Sequence, residues 1–146
     1  MELALVHAYA TAAPLLSSPA ATDAGAAFAR HHAAHAAALA RVAGGEPVAG
    51  PVPGVSSQME SALRAARGEH EALSALYEIE NKVAATHQYL LEKLQADPAI
   101  HQVSAVLPVE GQHAAVLAVM LKKDVRDLSP AFQTREGYYD PSRFAP

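Results

Sequence analysis

A chain of 146 residues with 51% hydrophobic content is sized for one domain with a continuous core, and its commonest residue, Ala, is the best helix former. Without cysteine it can build neither a disulfide nor a thiolate metal site, and a net charge of −4 with no basic run gives nucleic acid no footprint. No run of about 18 uncharged apolar residues occurs, so no membrane span is expected. Glu2 stands where a signal peptide would carry basic residues, so no signal peptide is visible and the default location is the cytoplasm. A helical pattern starts at Met1 with no cap before it, which leaves a longer or processed natural product, and with it an exported precursor, open.

In chain order, Met1 to Leu16 reads as an apolar helix with Pro14 near its end, followed by a short turn at Ser17, Ser18 and Pro19. Thr22 or Asp23 caps a second helix running to about Val42, which Gly44 and Gly45 stop. Residues 44–54 hold four Gly and three Pro and read as a long crossover. A third helical region starts near Ser56 or Ser57 and ends near Gln95. As one helix it would run about 60 Å, too long for this chain, so a break is expected near Gly68. Asp97 and Pro98 open a fourth helix to about Lys123, with Pro108 inside it freeing the carbonyl of Ser104. Residues 124–146, with three prolines and Phe132, Tyr138, Tyr139 and Phe144, read as an extended tail docked through its rings. The expected organisation is therefore a helical unit over 1–123 and a tail over 124–146.

Steps of three and four trace a core seam along each helix. The seams run through Glu2, Leu5, Tyr9 and Leu16; through Phe28, His32, His35 and Leu39; through Leu73, Leu76, Glu80, Val83, His87 and Leu90; and through Val103, Leu107, Glu110, Ala114 and Leu117. His113 lies three residues after Glu110 and still points inward. Seven polar residues thus occupy positions where apolar ones belong. An unpaired buried polar group costs roughly 1–3 kcal/mol and an ionised carboxylate far more, against a net stability of about 5–15 kcal/mol. A metal ion, a mutually satisfied hydrogen-bond network or contact with water would each resolve the conflict.

Spacing sharpens the choice. Glu2 is followed 30 positions later by His32 and then His35; Glu80 is followed 30 positions later by Glu110 and then His113. Each triplet puts one carboxylate on a first helix and an i, i+3 pair on the next, and two such hairpins bring six metal-type side chains into one core. At an offset of 78, Glu2 falls on Glu80, Tyr9 on His87, His32 on Glu110, His35 on His113 and Leu39 on Leu117, as expected of a duplicated helical hairpin. Glu and His suit Fe, Mn and Zn.

Each residue also has a plainer reading. Glu110 with His113 reads equally as a buried ion pair, Glu80 as a partner for a core histidine, and His32 with His35 as a solvated stripe. Glu2 reads as a frayed terminal acid and His87 as a core histidine near Tyr9. His31, His70 and His101 read as surface residues, His7 as partly buried, and Glu69, Glu71 and Glu78 as a solvated face. Neither a phosphate loop, nor GxSxG, nor HExxH is present, so other chemistries have no support.

The segment "LYEIENKVAATHQYLLEKLQADPAIHQVSAVLPVEGQHAAVLAVML" running into "SPAFQ" resembles the ferritin-like domain proteins of bacteria, and "ELALVHAYATAAPLL" with "HHAAHAAALARVAGGEP" resembles their first hairpin. The resemblance implies an all-α, antiparallel four-helix bundle of two hairpins joined by a long crossover. It implies two iron or manganese ions held by Glu2, His32, His35, Glu80, Glu110 and His113, with Tyr9 and His87 as outer partners or electron relays. His32 stands where the family has a bridging Glu, and a neutral imidazole has one free lone pair and cannot bridge as a carboxylate does. His87 stands where many relatives have Tyr. Three carboxylates balance one divalent ion better than two. The expected function is binding of Fe or Mn, as one ion or two, with ferroxidase-like oxidation of Fe(II) or reduction of dioxygen or peroxide. The alternatives are a metal-free, degenerate bundle serving a structural, stress-related or partner-binding role, and a single structural or storage Zn site. A homodimer is expected because a short first helix leaves apolar surface uncovered.

Overall fold

The computed structural model describes residues 1–44, 50–128 and 137–140. Residues 45–49 of the expected crossover, and Phe132 and Phe144 of the expected tail, lie outside the described residues. The described chain is all-helical, with no strand: α1 (Glu2–Ala12), α2 (Pro19–Val42), α3 (Pro53–Ala65), α4 (Glu69–Leu91) and α5 (Asp97–Met120), plus short 3-10 turns at Ala13–Leu15 and Val125–Asp127.

Local chemistry sets the boundaries. Pro14 converts the end of the first helix into the 3-10 turn, and Leu16 then turns extended. The second helix starts earlier than Thr22 or Asp23. Ser18 accepts from the backbone N–H of Ala21 as the cap, and Pro19, with φ already helical and no N–H to lose, takes the first helical position. Glu69, read from sequence as part of a solvated face, instead accepts from the backbone N–H groups of Ser17 and Ser18, both at 2.6 Å, and from the Ser17 hydroxyl. It ties the first turn of α4 to the α1–α2 link. Gly44, at φ +75°, closes α2 in a backbone state that Gly adopts without Cβ strain. Ala66 is extended between α3 and α4, and Pro53 rather than Ser56 opens α3. At the far end of α5, Lys122 takes φ 56° and the Lys123 N–H reaches back to the Ala118 carbonyl, ending the helix short of Lys123.

Helix pairing positions the site. The most extensive packing is of α4 on α5; α1 lies against both α2 and α3, while α2 also packs on α5 and α3 on α4. Leu5, Met59, Leu63, Leu76 and Leu117 are fully buried where these helices meet. Burial of each such side chain contributes roughly 1.5–3 kcal/mol. By length and composition α5 could cross a membrane, with a mean hydropathy of 1.4. Its Glu110 and His113, however, belong to the side that packs into the protein. The described part of the tail rests on α4: the Tyr138 ring stacks on Tyr89 with centroids 4.5 Å apart, and the buried Tyr139 donates its backbone N–H to the Thr86 hydroxyl.

At Gly25, α2 lies against Leu16 and Tyr9 of the first helical segment. A Cβ there would stand 2.7 Å from Leu16 Cδ1 and 3.9 Å from Tyr9 Cδ1. Gly25→Val is therefore expected to destabilise the fold by about 1–3 kcal/mol through overpacking, read as a lower denaturant midpoint. A midpoint equal to or above that of the parent would contradict this packing.

Candidate metal centre

Four helices each deliver part of one buried cluster. Glu2 comes from the first turn of α1, His32 and His35 from α2, Glu80 from the middle of α4, and Glu110 and His113 from α5. Glu2, His32, Glu80, Glu110 and His113 are buried, and His35 is half-buried. Glu2 does not fray: at 3% exposure it is a core residue, because the start of α1 is covered by α2 and α4.

His32 sits at the centre. Its Nδ1 lies 3.0 Å from Glu2 Oε2 and its Nε2 3.0 Å from Glu80 Oε1. His35 Nδ1 lies 2.9 Å from Glu110 Oε1 and 3.3 Å from Glu2 Oε2. His113 Nδ1 faces Glu80 Oε1 and Glu110 Oε2, both at 3.5 Å. Tyr9 donates its hydroxyl to Glu80 Oε1 at 2.5 Å and stacks on His32. His87 is buried, as the core-histidine reading expects, and turns its Nε2 to Glu2 Oε1 at 3.3 Å, with Nδ1 donating to the Val83 carbonyl.

These contacts repeat with the offset of 78. Glu80 on α4 meets Tyr9 on α1 as Glu2 on α1 meets His87 on α4. Two groups of ligand atoms gather within 4.8 Å of one another: Glu2, His32, His35 and Glu110, and His32, Glu80, Glu110 and His113. The offset converts one group into the other, and His32 and Glu110 belong to both.

One participant carries no mark in the sequence. His31, exposed as expected, places its Nδ1 3.0 Å from His113 Nε2 and stacks on that ring, while Phe28 covers the other part of His113 at a centroid distance of 4.0 Å. With His31 and Phe28 against it, the His113 ring is held with its Nδ1 toward Glu80 and Glu110. Nothing in the spacing of α2 alone points to this, since His31 lies off the inward seam and meets His113 only through the packing of α2 on α5. His70, His101 and also His7 are exposed.

The donor set fits a metal ion. Glu2 Oε1, Glu80 Oε2, Glu110 Oε2 and His113 Nδ1 are buried with no hydrogen-bond partner. Mixed oxygen and imidazole donors of this kind suit Fe, Mn or Zn. In the metal-free chain the charges answer each other. Burial opposes ionisation of Glu2, but hydrogen bonds from His32 and His35 outweigh it and hold the carboxyl at about 2. Burial likewise opposes charging of His32, yet Glu80 and Glu2 raise it to about 10, and Glu110 with Glu2 raises His35 to about 9. Glu80 is held low by His32 and His113 against its own desolvation, and burial, followed by the Glu80 charge, pushes the Tyr9 hydroxyl well up.

An apolar cavity of about 550 Å³ opens beside this cluster, with Glu2 and His87 at its polar end and Leu3, Leu39, Leu90 and Val103 among its walls. Comparison with known proteins adds no relative: no family model, no curated protein and no solved structure matches the chain.

The shifts give the metal-free protein a defined stability profile. His32 and His35 stabilise the fold fully below their ordinary value of 6.5 and lose that contribution as pH rises through about 9 to about 10. Glu2 contributes fully above 4.5 and loses its contribution as pH falls toward about 2. Chelator-treated protein should therefore melt highest between these ordinary values and at a lower temperature by about pH 9.5. A melting temperature that does not fall between pH 6.5 and about 9.5 would contradict the charged network.

Proposed function

We propose that the chain is a ferritin-like metal-binding protein whose ion is held by Glu2, His32, His35, Glu80, Glu110 and His113. In this reading α1 with α2 and α4 with α5 are the two hairpins of an antiparallel bundle, and the crossover spans residues 44–54. The observation that carries it is the pair of interlocking Glu/His groups at the meeting point of four helices, related by the same offset that relates the two halves of the sequence. Three carboxylate oxygens and an imidazole nitrogen left without hydrogen bonds in a closed core support a cation as their partner.

Bound there, Fe or Mn would supply redox chemistry, with oxidation of Fe(II) or reduction of dioxygen or peroxide as the proposed activity. The chain's own contributions follow from its contacts. Tyr9 orients Glu80 by donating to Oε1; His87 confronts the Oε1 of Glu2; His31 holds the His113 ring through its Nε2. The apolar cavity reaching Glu2 supports access for a small uncharged reactant.

A second reading has its own support. His32 bonded to Glu2 and Glu80, and His35 bonded to Glu110, form a network able to answer much of its own charge, as expected of a metal-free structural or partner-binding bundle.

Elemental analysis of untagged protein separates the two. The metal reading predicts bound Fe, Mn or Zn at close to one ion per chain, absent from a Glu110→Ala variant that retains helical circular dichroism. Bound Fe would direct an oxidase assay; bound Zn would favour a structural or storage site. No metal in the parent protein, even after anaerobic Fe(II) loading, would leave the self-satisfied network.

A further inference from the structure

The two ligand groups share His32, and the geometry of that ring limits what they can do together. Its Nδ1 faces Glu2 Oε2 at 3.0 Å and Glu110 Oε2 at 3.6 Å, on the side of the group that includes His35. Its Nε2 faces Glu80 Oε1 at 3.0 Å, on the side of the group that includes His113. A neutral imidazole carries one N–H and one lone pair. When Nδ1 offers its lone pair to an ion beside Glu2, Nε2 must carry the hydrogen and donate it to Glu80. When Nε2 offers the lone pair beside Glu80, Nδ1 carries the hydrogen and donates it to Glu2. Each tautomer is thus stabilised by the carboxylate of the group it does not serve.

Resting on the metal reading above, we propose that the centre is a one-ion site with two alternative positions, and that His32 is the residue that makes them mutually exclusive. One position uses Glu2, His32, His35 and Glu110; the other uses His32, Glu80, Glu110 and His113. A glutamate at position 32 could give one oxygen to each of two ions, but the imidazole serves one position at a time. Charge points the same way. Two divalent ions would exceed the three carboxylates by one positive charge, uncompensated in a core where Glu80, Glu110 and His32 have no exposed surface. One ion leaves the unused carboxylate as the hydrogen-bond partner that fixes the His32 ring, the role such outer groups play around bound metals. An ion would therefore have two near-equivalent resting places, related by the internal repeat, and exchanging one for the other would require the His32 proton to pass between Nε2, beside Glu80, and Nδ1, beside Glu2.

The test is anaerobic calorimetric titration of the untagged, chelator-treated full chain with Zn(II), with Glu2→Gln, Glu80→Gln and Glu110→Ala alongside, each checked for folding by circular dichroism. The parent should bind one equivalent. Glu2→Gln and Glu80→Gln should each still bind one equivalent, because each leaves the other position whole, and Glu110→Ala should lose tight binding because both positions use it. A histidine ¹⁵N spectrum of the zinc-loaded Glu2→Gln protein should show the metal-bound shift at His113 and not at His35, and Glu80→Gln the reverse. Two equivalents in the parent would overturn the one-ion inference while sustaining the metal reading. Loss of binding in both glutamine variants, with folding retained, would show a single undivided site and overturn it also. No binding by the parent would sink the metal reading itself.

Discussion

The fold depends on one buried imidazole held between two carboxylates. His32 has no exposed surface, and its two nitrogens each contact a glutamate from a different helix, Glu2 on α1 and Glu80 on α4. A charge or strong dipole so placed is costly unless every neighbour answers it. The rest of the core is arranged to do that. Tyr9 reaches Glu80, His35 reaches Glu110 and Glu2, and α2 is brought close at Gly25 so that its inward stripe can lie over Tyr9. The apolar contacts of Leu5, Met59, Leu63, Leu76 and Leu117 then hold the helices at the separation this cluster needs. Polar specificity and apolar packing act on the same helices.

The same arrangement explains how the internal repeat acquires chemical meaning. A duplicated hairpin with strictly equal halves would present the same residue at the two central positions. Here those positions hold His32 and Glu110, so the halves are alike in geometry and unlike in charge. Glu110 brings a carboxylate that both ligand groups share, and His32 brings a ring with two directional nitrogens. The asymmetry lowers the negative charge of the core by one and sets a ring with two nitrogens where the repeat has a carboxylate. Outer contacts keep the symmetry approximately: Tyr9 and His87 each attend the glutamate of the opposite hairpin, and both are buried.

Much of this was legible in the sequence, for identifiable reasons. The i, i+3 pair Glu110–His113 and the unbroken seam through Glu80 are statements about helix periodicity, which the chain obeys over the whole of α4 and α5. All-helical structure follows from the same pattern and from the alanine content. What escaped was set by contacts between elements distant in sequence. Glu2 looked like a frayed end because a helix's first turn shows no sign, in its own residues, of being covered by other helices. His31 looked like a surface residue, which by exposure it is, but its neighbour His113 is 82 positions away. Glu69 looked solvated because its partners are backbone N–H groups of the α1–α2 link, invisible to any side-chain pattern. The Ser18–Pro19 start of α2 was obscured by reading Pro as a break, although Pro at a first helical position favours the helix.

The central claim is that this buried cluster is a metal centre, and an anomalous-diffraction map of crystals grown from Fe(II)- or Zn(II)-loaded protein tests it most directly. The account predicts a single peak's worth of metal per chain inside the Glu2, His32, Glu80 and Glu110 cluster, within bonding distance of a shared Glu110 oxygen and one nitrogen of His32. It is contradicted if the loaded crystals show no anomalous density there, or show it only on surface histidines such as His70 or His101, with the His32 ring still bonded to Glu2 and Glu80.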